Sequence, residues 1–252
     1  MGAPLIADLA DPALGSAPGW PLVLYFHHVN ALVDHYTALS PDQFRRGLDT
    51  VLGTVGPALD PAAVGPGFRP PDHPSVLFTF DDGYRDNLQV AAPLLAEFGV
   101  KALLFCVTGE LDAADRLSES DRAALPPRRS FLTWEEAERF AALGHVLSAH
   151  TVRHPKLPEL GGNEAAEEVT ASLRRVRERT GEPVRTFAYP YGLIPERPPV
   201  PAGLLAFGTV KSPPASWEHR PLHIRRTYLP SGEVERWAGL ATGWREQWFG
   251  SQ

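Results

Sequence analysis

The 252-residue chain carries 24 basic and 30 acidic residues, a formal net charge of -6, and ordinary hydrophobic (43%) and charged (21%) fractions. This composition suits a folded globular protein long enough to bury a sizeable core, and its acidic balance excludes a general nucleic-acid binder. A single cysteine, Cys106, excludes an intramolecular disulfide, and no run approaches the roughly 18 apolar residues of a membrane span.

Met1 to Trp20 has no basic region followed by a long apolar one, so the expected location is cytoplasmic, with a processed secreted form left open. Residues 21–26 then read as a strand. Residues 40–52 read as a helix, with Ser40 as N-cap and Pro41 at its first position. A Pro- and Gly-rich loop spans 57–74, and a strand follows at 76–80. Residues 86–98 form a helix with an apolar face at Leu88, Ala91, Leu95 and Phe98, ended by Gly99. Residues 102–107 are a strand that buries Cys106. Residues 133–143 are a helix capped by Thr133 with Glu136 three residues on. A short strand at 146–149, a charged helix at 163–180 ended by Gly181, and a strand at 186–189 complete the clear pattern. A second loop follows at 195–201. Glu164, Glu167 and Glu168 with Arg174, Arg175 and Arg177 read as a solvated helix face. Trp237, Leu240, Trp244 and Trp248 recur at helical spacing and predict a terminal helix packed on the rest.

Strands alternating with helices imply a parallel sheet. The expected fold is α/β, a distorted (β/α) barrel of about seven parallel strands with its active site at their C-terminal ends. Polar residues gather there: His27 after the first strand, Asp81 and Asp82 after another, His150 after a third, and Pro190 and Tyr191 after a fourth. The expected organisation is one catalytic domain over residues 1–252, with a core at about 22–192 and a less defined part at 193–252.

Asp81 and Asp82 are adjacent, and adjacent strand residues point to opposite faces. Both enter one site only if the chain turns there, and Gly83 supplies that freedom. Neighbouring carboxylates repel, so a cation is their natural partner. His150 and His154 stand four apart, a spacing at which one helical turn brings two imidazoles to a shared ion, and Pro155 prevents a longer helix. Two imidazoles and a carboxylate are a ligand set for catalytic zinc that leaves a position open for water.

Thr79-Phe80-Asp81-Asp82-Gly83, His150-Thr151-Val152-Arg153-His154 and Arg185 to Tyr191 resemble, in order, the three motifs of the polysaccharide deacetylases (carbohydrate esterase family four). Phe26-His27-His28-Val29 and Ser40 to Phe44 extend the similarity from about Leu22 to Gly192. The resemblance implies a hydrolase that removes an acetyl group from the amide nitrogen of an amino sugar or glycan. Asp82, His150 and His154 would hold a divalent metal, zinc first, with cobalt, nickel or iron as alternatives. Asp81 would be the general base, and the backbone N–H of Tyr191 would stabilise the oxyanion. In the family a His near the C-terminus protonates the leaving amine. Here the candidates are His223, His219 and His27, in that order. Many relatives place an Arg two residues before the motif proline to orient the Asp. Ala188 stands there, leaving Arg185 as a substitute. Trp134, Tyr84, Tyr191, Pro190, His27 and Arg185 are candidate substrate contacts, with a core position as the favoured alternative for Trp134. Alternatives are hydrolysis of another non-peptide amide, or a catalytically weakened sugar-binding protein.

Overall fold

The computed structural model describes residues 11–250. The reading of the first residues as free of a leader falls largely on residues 1–10, outside those described. Six parallel strands form one sheet in chain order: β1 (Leu22–Phe26), β2 (Val76–Asp82), β3 (Ala102–Cys106), β4 (Val146–Ala149), β5 (Thr186–Ala188) and β6 (Leu205–Phe207). The strands are buried on both faces, so alternate side chains serve two cores. Leu24, Phe26, Phe78, Phe80 and Leu104 pack outward against the helices. Val23, Leu77, Leu103, Phe105 and Phe207 pack inward with Trp20 and Trp217.

The place of a seventh strand is taken by residues 224–227. Ile224 bridges Phe207 of β6 and Thr227 bridges Leu24 of β1, both in parallel. Ile224 N–H donates to Ala206 O at 2.9 Å, and Thr227 N–H donates to Val23 O at 2.8 Å. One bridge on each side is too little for a regular strand, but it links the two edges of the sheet. The expectation of about seven strands thus resolves into six and this short closing segment. Neither β6 nor the closing segment was legible, because three- and four-residue pairings carry almost no periodicity.

Helices cover the outer face. Helix α1 (Pro41–Thr54) begins with a complete capping box between Ser40 and Gln43. The expected helix at 86–98 is instead a π-turn, Asn87–Ala91, running into α2 (Ala92–Glu97). Pro93 lies in the first turn of α2 and has no N–H to give, so the ladder widens just before it. Two short helices, α3 (Thr108–Ala114) and α4 (Glu119–Ala123), fill the connection after β3 and were not anticipated. Helix α5 (Trp134–Ala142) has the expected capping box of Thr133 and Glu136. Helix α6 (Gly162–Thr180) ends at Gly181 with φ 73°. Helix α7 (Trp237–Phe249) buries Trp237, Leu240 and Trp244 in the outer core, as the stripe implied. Among the described residues no helix is long and apolar enough to cross a membrane.

Candidate active site

Strand parity decides which polar residues meet. Val23 and Tyr25 of β1 point inward, so His27 two residues on faces the same interior above the strand end. By the same alternation Leu77 and Thr79 carry Asp81 inward, and Ser148 carries His150. Asp82 should point outward, but its φ of 72° turns the chain back. The turn therefore starts at Asp82 itself, one residue before Gly83, and both carboxylates face one cavity. Four described residues other than glycine have positive φ: Asp82, Thr151 (68°), His154 (57°) and Tyr191 (58°). All four belong to this site, where the surrounding structure holds strained backbone in place.

The Nε2 atoms of His150 and His154 lie 3.2 Å apart. They stand 3.7 and 3.4 Å from the Asp82 Oδ1. That Asp82 oxygen is buried and has no hydrogen-bond partner. His150 Nδ1 lies 2.8 Å from Ala188 O, which only a protonated nitrogen can satisfy. Its Nε2 therefore bears a lone pair directed at Asp82 and His154. Burial, opposed mainly by Asp81, lowers the His150 pKa to about 4 and keeps the ring neutral. Two imidazoles and an unpartnered carboxylate oxygen converging in a buried pocket suit one divalent cation.

The His pair does not sit on a helical turn, as its spacing suggested, but on an irregular loop. Thr151 Oγ1 accepts the N–H of His154 at 3.0 Å. Glu168 Oε2, from α6, accepts the N–H groups of Val152 (3.0 Å) and Arg153 (2.9 Å). Glu168 also takes Arg153 Nε at 2.6 Å through its other oxygen. Glu168 is thus buried and anchors the loop that carries the His pair, a correction to its reading as part of a solvated face.

Asp81 is held from across the barrel. Arg226, on the closing segment, donates from Nη1 to Oδ1 at 2.6 Å and from Nη2 to Oδ2 at 2.8 Å. Its Nε donates to Gly208 O at 2.8 Å, and its guanidinium lies over the rings of Tyr25 (5.1 Å) and Phe105 (5.3 Å). Burial alone would raise the Asp81 pKa, but Arg226 and the nearby imidazoles hold it at about 2.

The family profile for polysaccharide deacetylase matches residues 68–199, more than half of the chain, and that span contains Asp81, Asp82, His150 and His154. The chain belongs to the polysaccharide deacetylase family. It is 27% identical over 124 residues to the Bacillus subtilis protein YxkH, named as a polysaccharide deacetylase. That match spans 49% of this chain and only 39% of YxkH. Among solved structures, the Streptococcus pyogenes deacetylase PplD in complex with acetate aligns with a TM-score of 0.69 and 21% identity, covering 90% of this chain and 97% of that one. IcaB from Ammonifex degensii aligns with a TM-score of 0.69 and 24% identity, covering 91% and 100%. These likenesses show a shared fold.

In this polysaccharide deacetylase family member the cavity over the ligand trio measures about 450 Å³, a size suited to a small ligand or one sugar unit. Tyr84 and Tyr191 line it as expected, with Tyr36 and Phe131 as further aromatic walls. Tyr84 stacks on His28 at 3.7 Å and on Phe131 at 4.8 Å. Tyr191 stands 4.6 Å from the His154 ring, and its carbonyl accepts Lys211 Nζ at 3.1 Å. Pro190 is buried and opens the turn that presents Tyr191. That turn leaves no room for a side chain at Gly192, where a Cβ would lie 2.2 Å from Thr209 Oγ1.

Two expected contacts lie elsewhere. Trp134 is fully buried beneath α6, with Nε1 donating to Asp112 at 2.7 Å, because the start of α5 faces the core. Arg185 sits before β5, at the end of the barrel opposite the site, and packs beside Gly65. Arg226, not Arg185, is the arginine that pairs with Asp81. Of the candidate acids, His219 is exposed and bonded to Ser216, and His223 does not line the cavity because it precedes the closing segment. His27 does line it. The sequence reading missed Arg226, Glu168 and His35, the last a further cavity-lining imidazole. Arg226 was signalled only by its parity with inward-facing Ile224.

Proposed function

We propose that this chain is a metal-dependent hydrolase that removes an acetyl group from the amide nitrogen of an amino sugar, free or within a glycan. The observation that carries the reading is the convergence of two imidazole Nε2 atoms on an unpartnered Asp82 oxygen, beside a second carboxylate held by Arg226. Family membership and the deacetylase names among its structural neighbours support it.

Asp82, His150 and His154 would hold the cation, which when bound makes water acidic and draws electron density from an amide carbonyl. Asp81 stays ionised at any ordinary pH and accepts the proton of the attacking water. Arg226 fixes both carboxylate oxygens, so Asp81 cannot rotate away or take the metal-ligand role of Asp82. The N–H of Tyr191, on its left-handed turn, would stabilise the developing oxyanion. His27 protonates the departing nitrogen, since it is the one expected acid that lines the cavity. The aromatic walls offer apolar faces to a sugar ring.

The substrate class is tested by acetate release from a panel of N-acetylglucosamine, chitin oligomers and peptidoglycan fragments, with zinc, cobalt or nickel supplied. Release from at least one substrate is expected. No release from any of them with any of the three metals contradicts the reading.

A further inference from the structure

Above the ligand trio, two imidazoles of the cavity wall share one buried hydroxyl. Thr37 Oγ1 lies 3.0 Å from His27 Nδ1 and 2.8 Å from His35 Nδ1. The backbone N–H of Thr37 also donates to His35 Nδ1, at 3.4 Å. A ring nitrogen that accepts an N–H carries no proton of its own. His35 Nδ1 is therefore an acceptor, and the single hydroxyl proton of Thr37 goes to it. The oxygen of Thr37 is left to accept from His27, so His27 carries a proton on Nδ1. The chain of bonds runs one way, from His27 through Thr37 to His35.

We infer that Thr37 and His35 are positioning residues that fix the tautomer of His27, so that Nε2 is the atom that gains and delivers the catalytic proton. The inference rests on the reading of His27 as the acid of an amide hydrolysis. With Nδ1 committed to Thr37, His27 takes a proton from solvent at Nε2 and becomes an imidazolium. As the C–N bond breaks, that Nε2 proton passes to the nitrogen, which leaves as a neutral amine with the bond's electron pair. His27 returns to the neutral Nδ1–H form. Without the hydroxyl, the neutral ring is free to hold its proton on Nε2, which leaves that nitrogen no lone pair with which to take up the catalytic proton. Thr37 is almost wholly buried, so no water replaces it readily. His35 sits at the exposed mouth, where it orients Thr37 without touching the trio.

Thr37→Val keeps shape and removes the hydroxyl, Thr37→Ser restores it, and His35→Ala removes the far acceptor at an exposed position that the fold tolerates. Each is compared with the wild-type protein, zinc-loaded, on an N-acetylated amino sugar and on 4-nitrophenyl acetate, whose phenolate leaves without a proton. For Thr37→Val, kcat on the amide is expected to fall about 10- to 100-fold, with KM and ester turnover changed by less than about threefold. Thr37→Ser recovers amide turnover, and His35→Ala falls in between. Nitrogen-15 NMR of the imidazoles, with His27 assigned by its loss in His27→Gln, shows His27 protonated on Nδ1 in wild type and shifted toward Nε2 in Thr37→Val. Equal losses on amide and ester, or an unchanged tautomer in Thr37→Val, overturn the inference. If wild type hydrolyses neither substrate, the proposed function falls, and the NMR readout still decides what Thr37 and His35 do to His27.

Discussion

Arg226→Met is expected to destabilise the protein by about 3–5 kcal/mol and to remove most of its activity, the largest effect of any substitution away from the metal ligands. Arg226 is fully buried and spends its donors on Asp81, Thr79 and Gly208. Methionine fills similar space but leaves the Asp81 carboxylate buried without its cation. The energetic loss comes mainly from that unpaired charge rather than from missing attraction. The companion double variant Asp81→Leu/Arg226→Met, with neither charge, should therefore recover much of the stability and none of the activity. Urea unfolding of the three proteins measures this. A single variant as stable as wild type would show that the pair does not anchor the barrel.

The pH dependence follows with a definite sign. In the wild type Asp81 titrates at about 2, below its ordinary 3.8, so its contribution to stability is present above 3.8 and is lost as pH falls through 2. In Arg226→Met, burial is the dominant influence and pushes the carboxyl above 3.8. The variant then loses stability as pH rises through that window, the reverse of the wild type. Arg226→Lys keeps a charge but not the two-pronged fit, and should fall between the two.

Asp81→Asn is the second large effect. Asparagine keeps the shape and can accept from Arg226 at only one oxygen, but it cannot take a proton from water. Turnover should fall by about 10²- to 10⁴-fold while the bound metal remains, because Asp82, His150 and His154 are untouched. Acetate release measured beside metal content separates the two roles. Loss of the metal in Asp81→Asn would make Asp81 a ligand rather than a base. Unchanged turnover would remove it from the chemistry.

The metal trio was legible in the sequence because its information is local. Asp81 and Asp82 close one strand, and His150 and His154 close another with a four-residue interval. The capping boxes at Ser40 and Thr133 were legible for the same reason. The partner of Asp81 was not, since Arg226 lies 145 residues away on a segment too short to show a strand pattern. A charged residue beside another charged residue, as in Arg225-Arg226, also reads as surface until the barrel closes around it. Glu168 was misread because the helical face that looks solvated by composition turns one carboxylate onto the loop at Val152 and Arg153. Of the two readings open for Trp134, the core position holds, its apolar face serving the core rather than a ligand. The helix expected at 86–98 divides because Pro93 has no N–H to give and the turn before it widens.

In the proposed function, a cation held by Asp82, His150 and His154 supports hydrolysis of an acylated amino sugar. Its most direct test is a titration of chelator-stripped protein with zinc, following acetate release from an N-acetylglucosamine oligomer. Activity is expected to rise from near zero and saturate at one ion per chain, and His150→Ala to stay flat throughout. Full acetate release by the stripped protein, or a saturating response in His150→Ala equal to that of wild type, would contradict it.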